Sequence, residues 1–103
     1  MKPLQHVTYD CLRDVGFKAM PEVGHLAHSY DLLETLMREA SKDYVRQLGE
    51  YLHTDDPIMV SHSEIASRYS HPPLSTFFEK VGTMRVRNVR GGYSSVAVWK
   101  RVQ

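Results

Sequence analysis

The sequence holds a single cysteine, Cys11, so no disulfide can form within the chain. A lone free cysteine is typical of proteins that work in a reducing compartment. No apolar run approaches the roughly 18 residues that a membrane-spanning helix needs. The start of the chain also lacks the apolar core of a signal peptide. These absences predict a cytoplasmic protein with no membrane partner.

Signatures of enzymes and metal centres are also scarce. Gly91-Gly92 lacks the strand, lysine and helix that a phosphate-binding loop requires. His25 and His28 have the spacing of one helical face, but neither a thiolate pair nor an H-E-x-x-H motif accompanies them. His53 stands beside two aspartates, a pattern more typical of a solvated helix end than of a general base. We therefore expect no catalytic residue, no metal, no cofactor and no enzymatic activity.

Length and composition indicate one folded domain. The chain has 103 residues, of which 42% are apolar and 24% charged, as in ordinary soluble globular proteins. No internal repeat or low-complexity tract is visible. We expect residues 1–103 to form a single α+β domain that is mainly helical.

Charge divides the chain into two parts. Residues 1–56 carry six basic and ten acidic side chains, a net charge of −4. Residues 57–103 carry seven basic and two acidic side chains, a net charge of +5, and the overall +1 hides this difference. Such asymmetry favours a nucleic-acid surface at one end. The chain is therefore interpreted as an acidic helical part, 1–56, followed by a basic part, 57–103.

The acidic part has two helical patterns. Thr8 is a candidate N-cap for a short helix that ends at Gly16. From Ser29, apolar side chains recur at spacings of three and four: Leu33, Leu36, Met37, Ala40, Tyr44, Val45, Leu48 and Leu52. This stripe predicts either one helix about 36 Å long at 1.5 Å per residue or two helices divided by a second N-cap at Ser41. The stripe has two possible roles. Either all of it packs on the core of the domain, or a part of it, at about residues 29–53, forms the interface of a homodimer.

The basic part opens with a helix start. Pro57 ends the preceding helix, and residues 58–60 suit a short strand or a buried connector. Ser61 and Glu64 then have the spacing of a capping box. The buried face of the helix that follows consists of Ile65, Ala66 and Tyr69.

A second short helix is predicted after the break at residues 70–73. Proline is tolerated there because the first turn of a helix leaves its N–H groups without partners. The apolar positions of this helix are Leu74, Phe77, Phe78 and Val81, and Gly82 ends it. Two short helices joined by about four residues match the layout of a helix-turn-helix.

A β-hairpin follows, with Gly91-Gly92 as a two-residue turn. This turn predicts four cross-strand pairs: Arg90 with Tyr93, Asn88 with Ser95, Val86 with Ala97, and Met84 with Trp99. The same register places Arg85 and Arg87 on the opposite face of the hairpin, beside Val98 and Val96.

Residues from about 44 to 102 resemble a winged helix-turn-helix domain of bacterial and phage transcription regulators. The run from Ser61 to Tyr69 is similar to the first helix of the turn in such proteins. The second helix and the Gly-Gly wing follow in the expected order. The chain departs from the pattern in its presumed recognition helix, which contains Phe77-Phe78 and only Lys80 as a basic residue.

The resemblance implies a transcriptional regulator that binds duplex DNA as a homodimer. The second helix would enter the major groove, and the residues facing base edges would be His71, Ser75, Thr76, Glu79 and Lys80. Phosphates would be bound by Arg68, Arg85, Arg87, Arg90, Lys100 and Arg101. Among these, Arg90 lies at the wing tip and is the candidate for insertion into the minor groove.

The alternative is a small protein-binding inhibitor or adaptor of the phage or mobile-element type, which reuses a winged-helix fold. Its target would be a protein partner such as a host nucleic-acid enzyme. Aromatic residues are enriched at the centres of protein interfaces. Exposure of Phe77 or Phe78 would therefore favour this alternative, and burial of both would remove that support.

Overall fold

The computed structural model describes residues 4–88 and 90–103. Within these residues the chain forms four α-helices and a three-stranded antiparallel sheet, which confirms the α+β class. The elements are α1 (Tyr9–Ala19), β1 (Leu26–His28), α2 (Ser29–Glu39), α3 (Ser41–Gly49), α4 (Pro57–Ser67), β2 (Phe78–Arg87) and β3 (Tyr93–Arg101). Two short 3-10 turns, Arg68–Ser70 and Leu74–Thr76, connect α4 to β2. In this part of the chain no helix has the length and apolar character needed to cross a membrane.

Helix α1 begins as predicted but ends later. The side-chain oxygen of Thr8 accepts a hydrogen bond from the backbone N–H of Cys11 at 3.1 Å, so Thr8 is the N-cap. The prediction that Gly16 ends the helix is wrong, because α1 continues to Ala19 and Gly16 is buried within it. The ring of Phe78 packs against this glycine. Gly16 therefore makes room for the ring of Phe78 and does not end the helix.

Strand β1 passes directly into α2, and the sequence pattern did not predict this strand. His28 Nδ1 accepts a hydrogen bond from the N–H of Asp31 at 3.3 Å, and the Asp31 carboxylate accepts one from the N–H of His28 at 3.2 Å. This reciprocal cap starts α2 immediately after the strand. Leu26 pairs with Lys100 of β3, which places β1 at one edge of the sheet.

The apolar stripe forms two helices, α2 and α3, which meet at Ala40. The predicted cap at Ser41 is wrong, because Ala40 holds the N-cap position and no side chain caps α3. The stripe is buried at Leu33, Leu36 and Tyr44. Val45 and Leu52, in contrast, are 60% and 70% exposed, so the stripe does not bury all its members.

Helix α4 starts five residues earlier than predicted. Asp56 is its N-cap and Pro57 its first residue, so Pro57 opens a helix. Residues 58–60 lie in the first turn and do not form a strand. The predicted capping box is wrong because Ser61 is fully buried inside α4.

The prediction of a second helix with apolar positions from Leu74 to Val81 is also wrong. Its sequence forms the single turn Leu74–Thr76 and then enters β2 at Phe78. Strand β2 pairs with β3 along its length, and these ladder hydrogen bonds satisfy the backbone that a helix would have satisfied internally. Phe78 is 1% exposed and packs against Tyr69, whereas Val81 is 47% exposed. The two apolar residues therefore do not share one helical face.

The hairpin register differs from the prediction by three residues. Arg87 pairs with Tyr93, and the connection is the five-residue loop 88–92 rather than a two-residue turn. Asn88 closes the loop by donating its N–H to the carbonyl of Gly92 at 2.7 Å. Gly91 has φ of 86°, which lies in the left-handed region. The sheet order is β1-β3-β2.

The core lies between the helices and one face of the sheet. Its fully or almost fully buried large side chains include Leu12, Met20, Leu36, Ile65, Tyr69, Leu74, Phe78 and Trp99. Tyr69 contacts both Phe78 and Trp99, with ring centroids 5.4 and 5.8 Å apart. The Tyr69 hydroxyl donates to the carbonyl of Leu12 at 2.6 Å, which links the turn after α4 to α1. This packing fixes the position of the hairpin relative to the helices.

Candidate nucleic-acid interface

The hairpin carries exposed basic side chains on the sheet face that also bears Trp99. Arg87 pairs with Tyr93 and Arg85 with Ser95, so both arginines share the face of the odd-numbered β3 residues. The prediction that they lie on the opposite face is therefore wrong. The Arg85 guanidinium lies over the exposed Tyr93 ring, 5.6 Å from its centroid. Arg87 donates from Nε to the carbonyl of Gly91 at 3.2 Å.

The hairpin loop contacts the start of α4. Arg90 forms an ion pair with Asp56, with Nη2 and Oδ2 2.7 Å apart. The backbone N–H of Arg90 donates to the side-chain oxygen of Asn88 at 2.9 Å, and the Asn88 amide donates to Ser94 Oγ at 3.0 Å. The side chain of Asn88 thus supports the loop that presents Arg90 to α4.

A groove with a volume of about 310 Å³ lies between α4, the start of α2 and the hairpin. One wall is formed by Met59, His62, Ser63, Ala66 and Ser67 of α4 together with Ser70. The other wall is formed by residues 94–97 and Trp99 of β3 and by Lys80 of β2. Ser63, Ser67 and Ser70 have the three-and-four spacing of one helical face, and Ser94 and Ser95 lie across from them. We call this space the serine groove.

Lys80 is the basic residue of the serine groove. It pairs with Trp99 just before a bulge in β2 between Lys80 and Gly82, and it is exposed. Trp99 is 2% exposed and donates from Nε1 to Ser29 Oγ at 3.3 Å. The buried indole therefore fixes the strand while Lys80 extends to solvent at the groove.

His62 also lines the serine groove but is almost fully buried, with 4% exposure. Its Nε2 lies 2.8 Å from the hydroxyl of Tyr44, and the ring of Tyr30 packs against it with centroids 6.4 Å apart. Burial lowers the pKa of His62 below its ordinary value of 6.5. The imidazole is therefore neutral at pH 7 and adds no positive charge to the groove.

Two of the expected phosphate ligands are structural. Arg68 is 2% exposed, and its Nη2 lies 3.5 Å from Oε2 of Glu64. Arg101 stacks on Phe17, with its guanidinium carbon 4.1 Å from the ring centroid, and donates to the carbonyls of Met20 and Pro21 at 3.2 and 2.8 Å. The sequence could not separate these arginines from the exposed ones, because burial depends on contacts with distant segments.

The remaining predicted residues lie apart from the serine groove. Lys100 is exposed on the other face of the sheet, between Leu26 of β1 and Glu79 of β2. Ser75 and Thr76 are exposed in the turn before β2, where the N–H of Ser75 donates to the carbonyl of His71 at 3.0 Å. Ser75 and Thr76 therefore do not lie on a recognition helix.

The serines of the groove had no recognisable motif in the sequence. Ser63, Ser67 and Ser70 lie on one face of the α4 segment, but their spacing carried no signal without the strand that faces them. The adjacent pair Ser94-Ser95 follows the glycines of the hairpin loop. These serines form one surface only because the hairpin packs beside α4.

The opposite face of the sheet faces away from the core and carries several apolar side chains together with the exposed charges of Glu79 and Lys100. Leu26, Met84, Val86, Val96 and Val98 share this face through the strand register, and we call it the outer sheet face. Leu26 is 59% and Met84 44% exposed. The outer sheet face therefore has an exposed apolar part at Leu26 and Met84, whereas the exposed arginines Arg85 and Arg87 lie on the face that also bears Trp99.

No family model matches the chain, and neither the curated proteins nor the solved structures yielded a match to it.

Proposed function

We propose that this protein binds duplex DNA with its hairpin and α4, as a transcriptional regulator of the winged helix-turn-helix kind. In this arrangement α4 takes the place beside the wing that the sequence assigned to residues 74–81. The observation that carries the proposal is the serine groove between α4 and the hairpin, with Lys80, Arg85 and Arg87 exposed on the hairpin face that borders it.

The chemistry of the serine groove suits a phosphodiester backbone. Hydroxyl groups donate hydrogen bonds to phosphate oxygens, and lysine and arginine supply charge-assisted bonds. Small side chains such as Ser63 and Ala66 allow the backbone to approach α4 closely. The contacts supplied by this surface are mostly to phosphates, which provide affinity and position more than sequence choice. We therefore expect DNA binding with modest sequence preference.

We also propose that the protein forms a homodimer through the stretch at residues 29–53. Leu33 and Leu36 of α2 are buried in the core of their own chain, so they are not available to a second copy. Val45 and Leu52 are exposed apolar side chains in the same stretch. A dimer formed through residues 29–53 would cover these two.

Binding to mixed-sequence duplex DNA, measured by fluorescence anisotropy over a series of salt concentrations, tests the proposal. Arg85→Ala/Arg87→Ala should weaken binding and reduce the slope of log K against log salt by about 1.8, since each lost phosphate contact removes about 0.9. Arg38→Ala/Arg46→Ala is the matched control. These two arginines are 61% and 63% exposed on α2 and α3, and their loss changes the net charge equally.

Two results would contradict DNA binding at this surface. One is the absence of binding at about 50 mM salt, where phosphate contacts are strongest. The other is an equal loss of affinity in the two double variants, since that would show a response to net charge rather than to the hairpin.

A second candidate function is protein binding, and the outer sheet face favours it. Phe78 is buried, and Phe77 is half-buried and packs edge-on against Phe17, with centroids 5.5 Å apart, so neither ring has the exposure that would favour this alternative. The exposed side chains of Leu26 and Met84 are the apolar surface that a protein partner would cover. Capture of a defined partner by the wild type but not by Met84→Glu would support this function.

A further inference from the structure

The ion pair between Arg90 and Asp56 joins two segments that both border the serine groove. Arg90 belongs to the hairpin loop, and Asp56 is the N-cap of α4. The separation of Nη2 and Oδ2 is 2.7 Å, the distance of a charge-assisted hydrogen bond. The contact therefore ties the hairpin to α4 in the free protein.

The two partners differ in how firmly they are held. The other oxygen of Asp56 accepts from the N–H of Met59 at 3.5 Å, so the carboxylate is also occupied by capping α4. The side chain of Arg90 is 65% exposed, whereas that of Asp56 is 32% exposed. The backbone N–H of Arg90 is held by Asn88, and most of the Arg90 side chain is accessible to solvent beside the ion pair. The arginine is thus the partner that can change ligand without disturbing a helix.

We infer that Asp56 occupies on Arg90 the position that a DNA phosphate takes in the complex. The inference rests on the proposed function and adds a regulatory contact to the same site. Carboxylate and phosphate present matching oxygens to a guanidinium, so one can replace the other. An exposed ion pair contributes little stability, and a polyanion that engages Lys80 and Arg85 at the same time competes well for it.

Because DNA must displace this carboxylate from Arg90, Asp56 lowers the affinity of the protein for DNA. In the free protein the carboxylate neutralises the cation at the hairpin loop, and DNA must displace it. Removing the carboxylate charge while keeping the helix cap releases Arg90 in advance. Asparagine and serine cap a helix about as well as aspartate, so Asp56→Asn and Asp56→Ser both meet this condition.

The test compares Asp56→Asn with Asp55→Asn by fluorescence anisotropy on the same duplex. Asp55 is the neighbouring exposed carboxylate, so both variants gain one unit of charge almost at the same place. Asp56→Asn should bind about twofold to fivefold more tightly than Asp55→Asn, the range expected when an exposed ion pair no longer competes. Asp56→Ser should behave in the same way and replaces the first variant if Asp56→Asn unfolds.

Arg90→Gln completes the experiment. This variant should bind more weakly than the wild type, and in its background Asp56→Asn and Asp55→Asn should become equal. Equal affinity of the two aspartate variants in the presence of Arg90 would overturn the inference while leaving DNA binding intact. Failure of the wild type to bind DNA at all would instead overturn the proposed function and the inference together.

Discussion

The ring of Phe78 lies so close to Gly16 that a Cβ atom built on the glycine would be 2.3 Å from Cζ of the ring. Real Cβ atoms do not approach other atoms so closely, and Phe78 is itself 1% exposed between Phe17 and Tyr69. Phe78, the first residue of β2, therefore packs directly against the backbone of α1 because Gly16 has no side chain.

Gly16→Ala should destabilise the protein by about 1–3 kcal/mol, the usual cost of overpacking a core. Gly49→Ala is the control, because among the described residues no atom outside the adjoining backbone lies within 4 Å of the Cβ it would add at the end of α3. That variant should be neutral or stabilise by up to about 1 kcal/mol. Chemical denaturation measures both, and equal free energies of unfolding would show that the ring of Phe78 yields without cost.

A negative charge in the serine groove should abolish most DNA affinity. Ser63→Glu should weaken binding by at least about tenfold, since like charges brought together at an interface cost several kcal/mol. Ser75→Glu places the same charge on an exposed serine in the turn that the sequence assigned to base contacts. Binding titrations should show the larger loss for Ser63→Glu, and the reverse order would return the DNA surface to residues 71–76.

Burial of His62 should make stability depend on pH. Because the pKa of folded His62 is lowered below 6.5, the unfolded chain binds a proton at this residue that the folded chain does not. Stability should therefore fall as pH drops from about 6.5 to the folded pKa and level off below it. His62→Gln lacks this contribution and should show a flatter decline between pH 7 and 5. Parallel profiles of free energy against pH would contradict the assignment.

The hydrogen bond from Tyr69 to Leu12 should contribute to stability. Tyr69→Phe removes a buried bond of 2.6 Å and should cost about 1 kcal/mol. Tyr93→Phe makes the same change at a ring that is 64% exposed and should leave the free energy of unfolding unchanged. Urea denaturation of the two variants distinguishes them, and an unchanged midpoint for Tyr69→Phe would show that the bond is not needed.

Local patterns in the sequence predicted several features of the fold because they depend only on neighbouring residues. Thr8 caps α1 through a bond to the N–H three residues along the chain. The spacing of Leu33, Leu36 and Tyr44 follows the turn of a helix, and these residues are buried. The hairpin was predicted from alternating residues and Gly91-Gly92. The charge division between residues 1–56 and 57–103 was also evident without a structure.

Tertiary contacts decided the rest. Residues 78–81 have helical spacing of apolar side chains, yet they form a strand because β3 provides a ladder partner and the core accepts Phe78. Strand β1 has only three residues, too few for a periodic signal, and it exists because it pairs with residues 98–100. The hairpin register followed from a five-residue loop held by Asn88 rather than from a two-residue turn.

The candidate site illustrates the same division. The sequence by itself determined that the basic residues cluster in the last part of the chain, since charge is a property of composition. Only the tertiary structure decided which cations are exposed: Arg68 is buried and Arg101 stacks on Phe17, while Lys80, Arg85 and Arg87 reach solvent. It also placed the serines of α4 opposite those of β3. The physical reason is that a helix face and a strand become two walls of one groove only through long-range packing, which no local pattern encodes.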